Sequence, residues 1–300
     1  MPKKRKYTKI ETETGDILEE GYDKIYTSKE LSLIYSQKKR SIEKTNFMEY
    51  IESLGKYALL FYNHLNKLNI PNEIKTRFIF LTAFIKYDSN GLLVEDNKNQ
   101  RPLQRSDLLE LLNIGEKAFI RTINVLKENK LLFENDKMYY LNKKFVARGK
   151  LTPQKMSQDF TRVFADAIKE LYNDCSPRQQ SQLYYFYMIL PLVNYKYNCV
   201  CHNPNETNLQ HIKKMSIQDI CISVGYNSTQ WKRFWLMLRG FKIGKEYCIS
   251  STIIGDTYDD VLIKINPKIY YAGNENCFEE LQQCCYEFFI GDKKVYNNES

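Results

Sequence analysis

Ser106-Asp-Leu-Leu-Glu-Leu-Leu112, Asn113-Ile-Gly115 and Glu116-Lys-Ala-Phe-Ile-Arg-Thr-Ile-Asn-Val-Leu-Lys-Glu-Asn129 decide the fold, together with the run from Leu131 to Leu141. The first piece reads as a short helix opened by a capping serine or aspartate. Asn113-Ile-Gly115 has the residues a tight turn demands. Phe119, Ile123 and Leu126 then fall on one stripe of a second helix. Leu131-Leu-Phe133, Asn135-Asp136 and Met138-Tyr-Tyr-Leu141 read as strand, turn, strand, and Leu92-Leu-Val94 upstream supplies a third strand. Helix, short turn, helix, hairpin is the winged-helix pattern.

The pattern recurs. Asp107-Leu-Leu109 aligns with Asp219-Ile-Cys221, 112 residues on, and the register carries Phe119 onto Trp231, Arg121 onto Arg233, Ile123 onto Trp235 and Leu126 onto Leu238. Tyr140-Leu-Asn142 through Gly149 aligns with Lys264-Ile-Asn266 through Gly273 at 124, so the second wing is expected to be longer, with its tip in 251–260 around Gly255. Repetition on this scale reads as duplication of one domain. The expected fold is mainly α with small β-wings, an α+β chain. Residues 1–42 form a basic arm and a short hairpin about Thr14-Gly15-Asp16. Residues 43–150 hold N-terminal helices and the first winged helix, 151–174 a linking helix, and 175–300 the second winged helix with a C-terminal helix.

Helical spacing is read from Glu43 through Leu54, over 57–68, over 73–87, and from Pro153 to Asn173. Gln182 to Leu192 reads as the first helix of the second unit, with a strand over 193–201. The C-terminal helix presents Phe278, Leu281, Cys285 and Phe288.

The chain has 300 residues, 43% of them hydrophobic and 27% charged, which suits a globular protein of two domains. No run of eighteen apolar residues and no leader pattern occurs, so a membrane role and export are not expected. Eight cysteines without an export signal read as reduced thiols in a bacterial cytoplasm, mostly packed as small hydrophobes. The net charge of +8 favours a polyanionic partner. Pro2-Lys-Lys-Arg-Lys6 looks like an import signal, but its plainer reading is a flexible tail.

Catalytic chemistry finds few handles. The three histidines include no His-x-His pair, and Gly240-Phe-Lys-Ile-Gly244-Lys245-Glu246 is one residue short of a phosphate loop and lacks its hydroxyl. Cys199-Val-Cys201-His202 with His211 is the one metal-like cluster, and its ligands are spaced too tightly for zinc. The chain is therefore expected to be no enzyme and to use no cofactor.

At Glu11-Thr-Glu-Thr-Gly15-Asp-Ile-Leu18, Arg101-Pro-Leu-Gln-Arg-Ser-Asp-Leu-Leu109 and Tyr140-Leu-Asn142 to Gly149 the sequence resembles the RepL-type replication proteins of Firmicute plasmids and phages. The resemblance covers the first half. Lys143 departs from the common Asn-Pro, which Asn266-Pro267 keeps. It implies binding of double-stranded DNA at a replication origin near the nucleoid, and the tandem arrangement looks like theta-type plasmid initiators. Host replication proteins and a second copy of the chain are further candidate partners. A transcription regulator and a non-catalytic protein-interaction module are the alternatives.

In a winged helix the second helix enters the major groove and the wing follows the backbone. Lys117, Ile120, Arg121 and Asn124 are expected to face outward, flanked by Thr122. Thr229, Gln230, Lys232 and Arg233 are their counterparts in the second unit. Arg can read guanine and Asn adenine. Lys137, Lys143, Lys144, Arg148 and Lys150 around the first wing are expected to contact phosphates. Each could equally be a solvated surface charge. Glu116 and Leu236 fit such a face poorly, and Trp231 and Trp235 read as core.

Overall fold

The computed structural model describes residues 3–10, 17–25, 28–96, 98–150, 160–253, 261–273 and 275–297. The chain divides into two compact units, residues 1–49 and 50–300.

In the first unit the segment expected as a basic arm is a strand. β1 (Lys3–Ile10) pairs antiparallel with β2 (Ile17–Ile25), and the register sets Arg5 opposite Asp23 and Lys9 opposite Glu19. The pairing joins two runs, neither of which reveals it when read singly. The tip around Thr14-Gly15-Asp16 lies outside the described residues. Helix α1 (Ser28–Ser53) starts well before Glu43. Leu33, Tyr35 and Ile42 are exposed on it, so the part before Glu43 offers no buried apolar stripe to read, whereas Phe47 in the part with helical spacing is buried.

In the second unit Gly55 closes α1 with φ 78°. The helix expected over 57–68 is instead β3 (Tyr57–Leu60) followed by the short α2 (Tyr62–Asn66). Distant partners decide this. β3 is the centre of a three-stranded antiparallel sheet, between β6 (Val146–Ala147) and β7 (Thr161–Phe164). Between β3 and β6 lie α3 (Asn72–Leu81, extended by a 3-10 turn Thr82–Phe84), α4 (Arg105–Leu112), α5 (Glu116–Glu128) and the hairpin β4 (Leu132–Asn135) and β5 (Met138–Leu141). The helix expected from Pro153 to Asn173 is shorter: 151–159 lie outside the described residues, β7 follows, and α6 spans Ala165–Asn173. The segment is no free linker, because β7 completes the sheet of the first repeat.

The second repeat runs through α7 (Pro177–Ile189, then a 3-10 turn Leu190–Leu192), α8 (Ile217–Ser223) and α9 (Trp231–Arg239). A small hairpin β8 (Lys242–Ile243) and β9 (Glu246–Tyr247) follows, then β10 (Ile249–Ile253), β11 (Val261–Ile265) and α10 (Phe278–Asn297). The strand expected over 193–201 is reduced to single bridges around a turn, with Asn198 at φ 53°. On α10 it is Cys284 that is buried, with Cys285 half-buried.

The two repeats share their backbone bonding. Leu92 bridges Tyr140 as Cys199 bridges Lys264, and Val94 bridges Pro102 as Cys201 bridges Lys214. The Leu141 N–H donates to the carbonyl of Gly91, and the Ile265 N–H to that of Asn198, 2.8 and 3.1 Å. Both acceptor residues have positive φ, 87° and 53°. The helices keep the offset of 112 (105 to 217). Leu132 pairs with Leu141 as Ile249 pairs with Ile265, offsets of 117 and 124. So five extra residues enter before the β10–β11 hairpin, as the β8–β9 hairpin, and seven within it. The sequence reading places them all at the tip, and residues 254–260 of that tip lie outside the described residues.

The repeats meet where α3 packs on α7. Phe80, late in α3, stacks at 4.0 Å on Tyr172, which precedes α7, while the Tyr184 hydroxyl late in α7 donates to Asn66 Oδ1 ahead of α3. The two helices are therefore antiparallel. Arg77, 7% exposed, donates to Gln180 Oε1 at 3.2 Å and to Thr122 Oγ1 at 2.8 Å, and the Thr76 hydroxyl donates to the Gln180 carbonyl at 2.6 Å.

Gly91 tests this architecture. A Cβ there would lie 2.0 Å from the Leu141 carbonyl oxygen, at a φ of 87°. Gly91→Ala should lower unfolding free energy in urea by about 1–3 kcal/mol from backbone strain, before any cost of moving the strand.

Candidate nucleic-acid interface

Each helix pair is built by local chemistry. Asp107 closes a capping box at the start of α4, its Oδ2 accepting from the Gln104 N–H at 2.7 Å. Asp219, its counterpart, accepts from the Ser216 N–H at 3.0 Å at the start of α8. The cap of α4 is thus Gln104, with Asp107 at its third position, rather than Ser106 or Asp107. The chain then turns through a left-handed residue, Asn113 at φ 48° and Gly225 at φ 74°, which stand 112 apart. These residue types tolerate that region, and each helix stops there.

α5 buries Phe119, Thr122, Ile123 and Leu126. Lys117, Ile120, Arg121 and Asn124 are exposed on the opposite side. Among the described residues Lys117, Arg121 and Asn124 make no hydrogen bond or ion pair, so their polar groups face solvent. Thr122 does not join them. It is fully buried, accepts from Arg77 and donates to the Ala118 carbonyl at 2.7 Å, because its place one residue after Arg121 turns it toward α3. Glu116, at the entrance to this face, is paired with Arg105, and Glu134 with Lys127, so both carboxylates are neutralised locally.

The β4–β5 hairpin turns in two residues, Asp136 and Lys137, at φ 50° and 61°, a type I′ geometry that follows the strand twist. Lys137 projects from this tip and is exposed. Lys144 and Lys150 are exposed as well. Lys143 is exposed, with its ammonium donating to Asn90 Oδ1 at 3.0 Å. Arg148 is taken by the fold. It is half-buried, donates to the Ile85 carbonyl at 2.5 Å, and burial lowers its guanidinium pKa from the ordinary value. It is therefore removed from the phosphate set.

In the second repeat Thr229 sits in a 3-10 turn (Ser228–Gln230) and donates its hydroxyl to Asn227 Oδ1 at 2.8 Å. Gln230, Lys232 and Arg233 are exposed, with the Lys232 ammonium 5.6 Å from the Trp231 ring centre. Leu236 stands where α5 has Asn124 and is 69% exposed. α9 buries Phe234 and Leu238 most deeply. Trp231 and Trp235 are partly buried and pack against the core, and they also border a cleft between α9 and the β10–β11 hairpin. Arg239, at the end of α9, borders the same cleft and escapes the sequence reading.

The cysteine cluster is internal. Cys199 and Cys201 are fully buried, and a hydrogen bond between their thiols, with burial, raises Cys199 well above the usual thiol range. His202 turns outward, its Nε2 3.6 Å from Asp219 Oδ2, and His211 is exposed. Among the described residues no group of three or more His, Cys, Asp or Glu is placed to hold a metal ion. No family model, no curated protein and no solved structure matches the chain.

Thr122 and Lys144 separate support from surface. Thr122→Val leaves an Arg77 N–H without its acceptor and should cost about 1–3 kcal/mol of stability. Lys144→Gln should stay within about 0.5 kcal/mol. Urea titrations of both variants check the contrast.

Proposed function

We propose that the chain binds double-stranded DNA in sequence-specific fashion through two winged helices, as the initiator of plasmid or phage replication that its resemblance to RepL-type proteins implies. One observation carries the reading. Arg121 and Arg233 occupy equivalent positions on the second helix of each repeat, both exposed and, among the described residues, both without an intramolecular partner. A guanidinium offered this way suits the O6 and N7 acceptors of guanine. Lys117 and Asn124 extend the first reading face, and Thr229, Gln230 and Lys232 the second. Lys137, Lys143, Lys144 and Lys150 border the first wing, where phosphates would pass. No described helix is long and apolar enough to cross a membrane.

The repeated helix pair supports a bipartite site. Two modules on one face of a duplex read major-groove segments about one turn, ~10 bp, apart. The two half-sites would differ in sequence, because Asn124 and Leu236 differ.

Exposed Leu236 and Ile222 favour a second reading for the second repeat, as a surface for another protein. Both stand where the first repeat has polar residues, Asn124 and Glu110. A host replication protein or a second copy of the chain would bury them.

Binding sites selected from random duplexes test the proposal. Arg121→Ala and Arg233→Ala should each relax base preference in one half-site only, at about 1–3 kcal/mol, and roughly additively. Unchanged preference in Arg233→Ala would assign the second repeat to protein contact. Lys137→Gln and Lys144→Gln each take one cation from the phosphates, and each should reduce the slope of log affinity against log salt by ~0.9. Absence of salt-dependent duplex binding by the full chain would reject the DNA role altogether.

A further inference from the structure

The cleft between α9 and the second wing has a volume of about 390 Å³ and is lined by Met215, Trp231, Trp235, Arg239, Ser251 and Ile263, among others. That volume is within the range of small-molecule sites. Its counterpart in the first repeat shows what is missing from it. There Lys127 pairs with Glu134 and lies 5.8 Å from the centre of the Tyr139 ring, while Arg105 lies 4.8 Å from the Phe119 ring. The carboxylate, the phenol ring and the second cation fill the groove from within.

The repeat register identifies each replacement. Lys127 becomes Arg239, Glu134 becomes Ser251, Tyr139 becomes Ile263, Arg105 becomes Ile217, and Phe119 and Ile123 become Trp231 and Trp235. The cation is kept, but its carboxylate and the ring beneath it are gone. Arg239 is left exposed, over the Trp235 ring at 6.0 Å, with no ion pair among the described residues. Two indoles supply flat apolar walls in place of a phenylalanine and an isoleucine.

We propose that this cleft binds a small aromatic carboxylate, whose ring takes the place of the Tyr139 side chain between the indoles and whose anion takes the place of Glu134 on Arg239. A flat ring stacks on indole faces, and a carboxylate accepts two parallel hydrogen bonds from a guanidinium. The inference does not rest on DNA binding.

The chain has two tryptophans, and both line this cleft, so its indole fluorescence reports on the site directly. The probe is 4-hydroxybenzoate, which joins the two missing groups, titrated into the full chain with excitation at the red edge of indole absorption. Acetate supplies the anion alone and phenol the ring alone. The expected result is saturable quenching by 4-hydroxybenzoate, with acetate and phenol each at least about tenfold weaker, the difference expected for one charge-assisted hydrogen-bonded pair. Arg239→Gln should weaken binding at least about tenfold on the same ground. Ser251→Glu restores the internal carboxylate of the first repeat and should abolish binding, while circular dichroism shows both variants folded. No saturable change, equal quenching by phenol, or full affinity in folded Arg239→Gln would each overturn the proposal.

Discussion

Among the described residues, Arg77 is a buried cation with no carboxylate beside it, and it ties the two repeats together. Arg77 is surrounded by neutral acceptors, Gln180 from the second repeat and Thr122 from the second helix of its own. A buried guanidinium is tolerated only if its N–H groups find partners. Both acceptors must therefore stay where they are, and this ties the tilt of α5 to the packing of α3 on α7. The Tyr172 hydroxyl adds a further tie between α6 and α4, donating to the Leu112 carbonyl at 2.9 Å. The outward face of α5 is thus fixed by a contact on its opposite side.

The second repeat solves the same problem without charge. Tyr185 and Phe234 occupy the places of Arg77 and Thr122, and their rings meet edge to face at 6.4 Å. The edge-to-face contact of the rings needs no buried acceptor, unlike the Arg77 guanidinium. The two repeats share their backbone bonding and differ in matched sets of side chains. Where one member of such a set changed, its partners changed too, as Lys127 with Glu134 and Tyr139 became Arg239 with Ser251 and Ile263.

Divergence is greatest at the surface. The first repeat presents Lys117, Arg121 and Asn124 beside a tight wing, with nearby acids neutralised by Arg105 and Lys127. The second presents Arg233 beside an exposed leucine, behind which a cleft opens toward a longer wing. The two repeats therefore carry unequal faces.

The helix–turn–helix segments are legible in the sequence because everything that makes them is local: the 3.6-residue stripe, the Asp107 and Asp219 caps, and Asn113 and Gly225 at the left-handed turns. The repeat is legible for the same reason, since each copy repeats those local signals at one offset. Arg121 and Arg233 on the outward face follow from helical phase alone. What fails is whatever has its partner far along the chain. Tyr57–Leu60 reads as helix until Thr161–Phe164 and Val146–Ala147 come to lie beside it, and Thr161–Phe164 reads as helix until it meets β3. Thr122 and Arg148 look like surface groups until Arg77 and the Ile85 carbonyl reach them. The cleft beside Trp235 is a difference between two packed sites, so no single stretch of sequence contains it. Sequence set the elements and their phase, because those energies act over a few residues. Tertiary structure decided which polar groups were consumed inside and which were left to bind, because a buried donor must be satisfied by whatever the fold brings within about 3 Å.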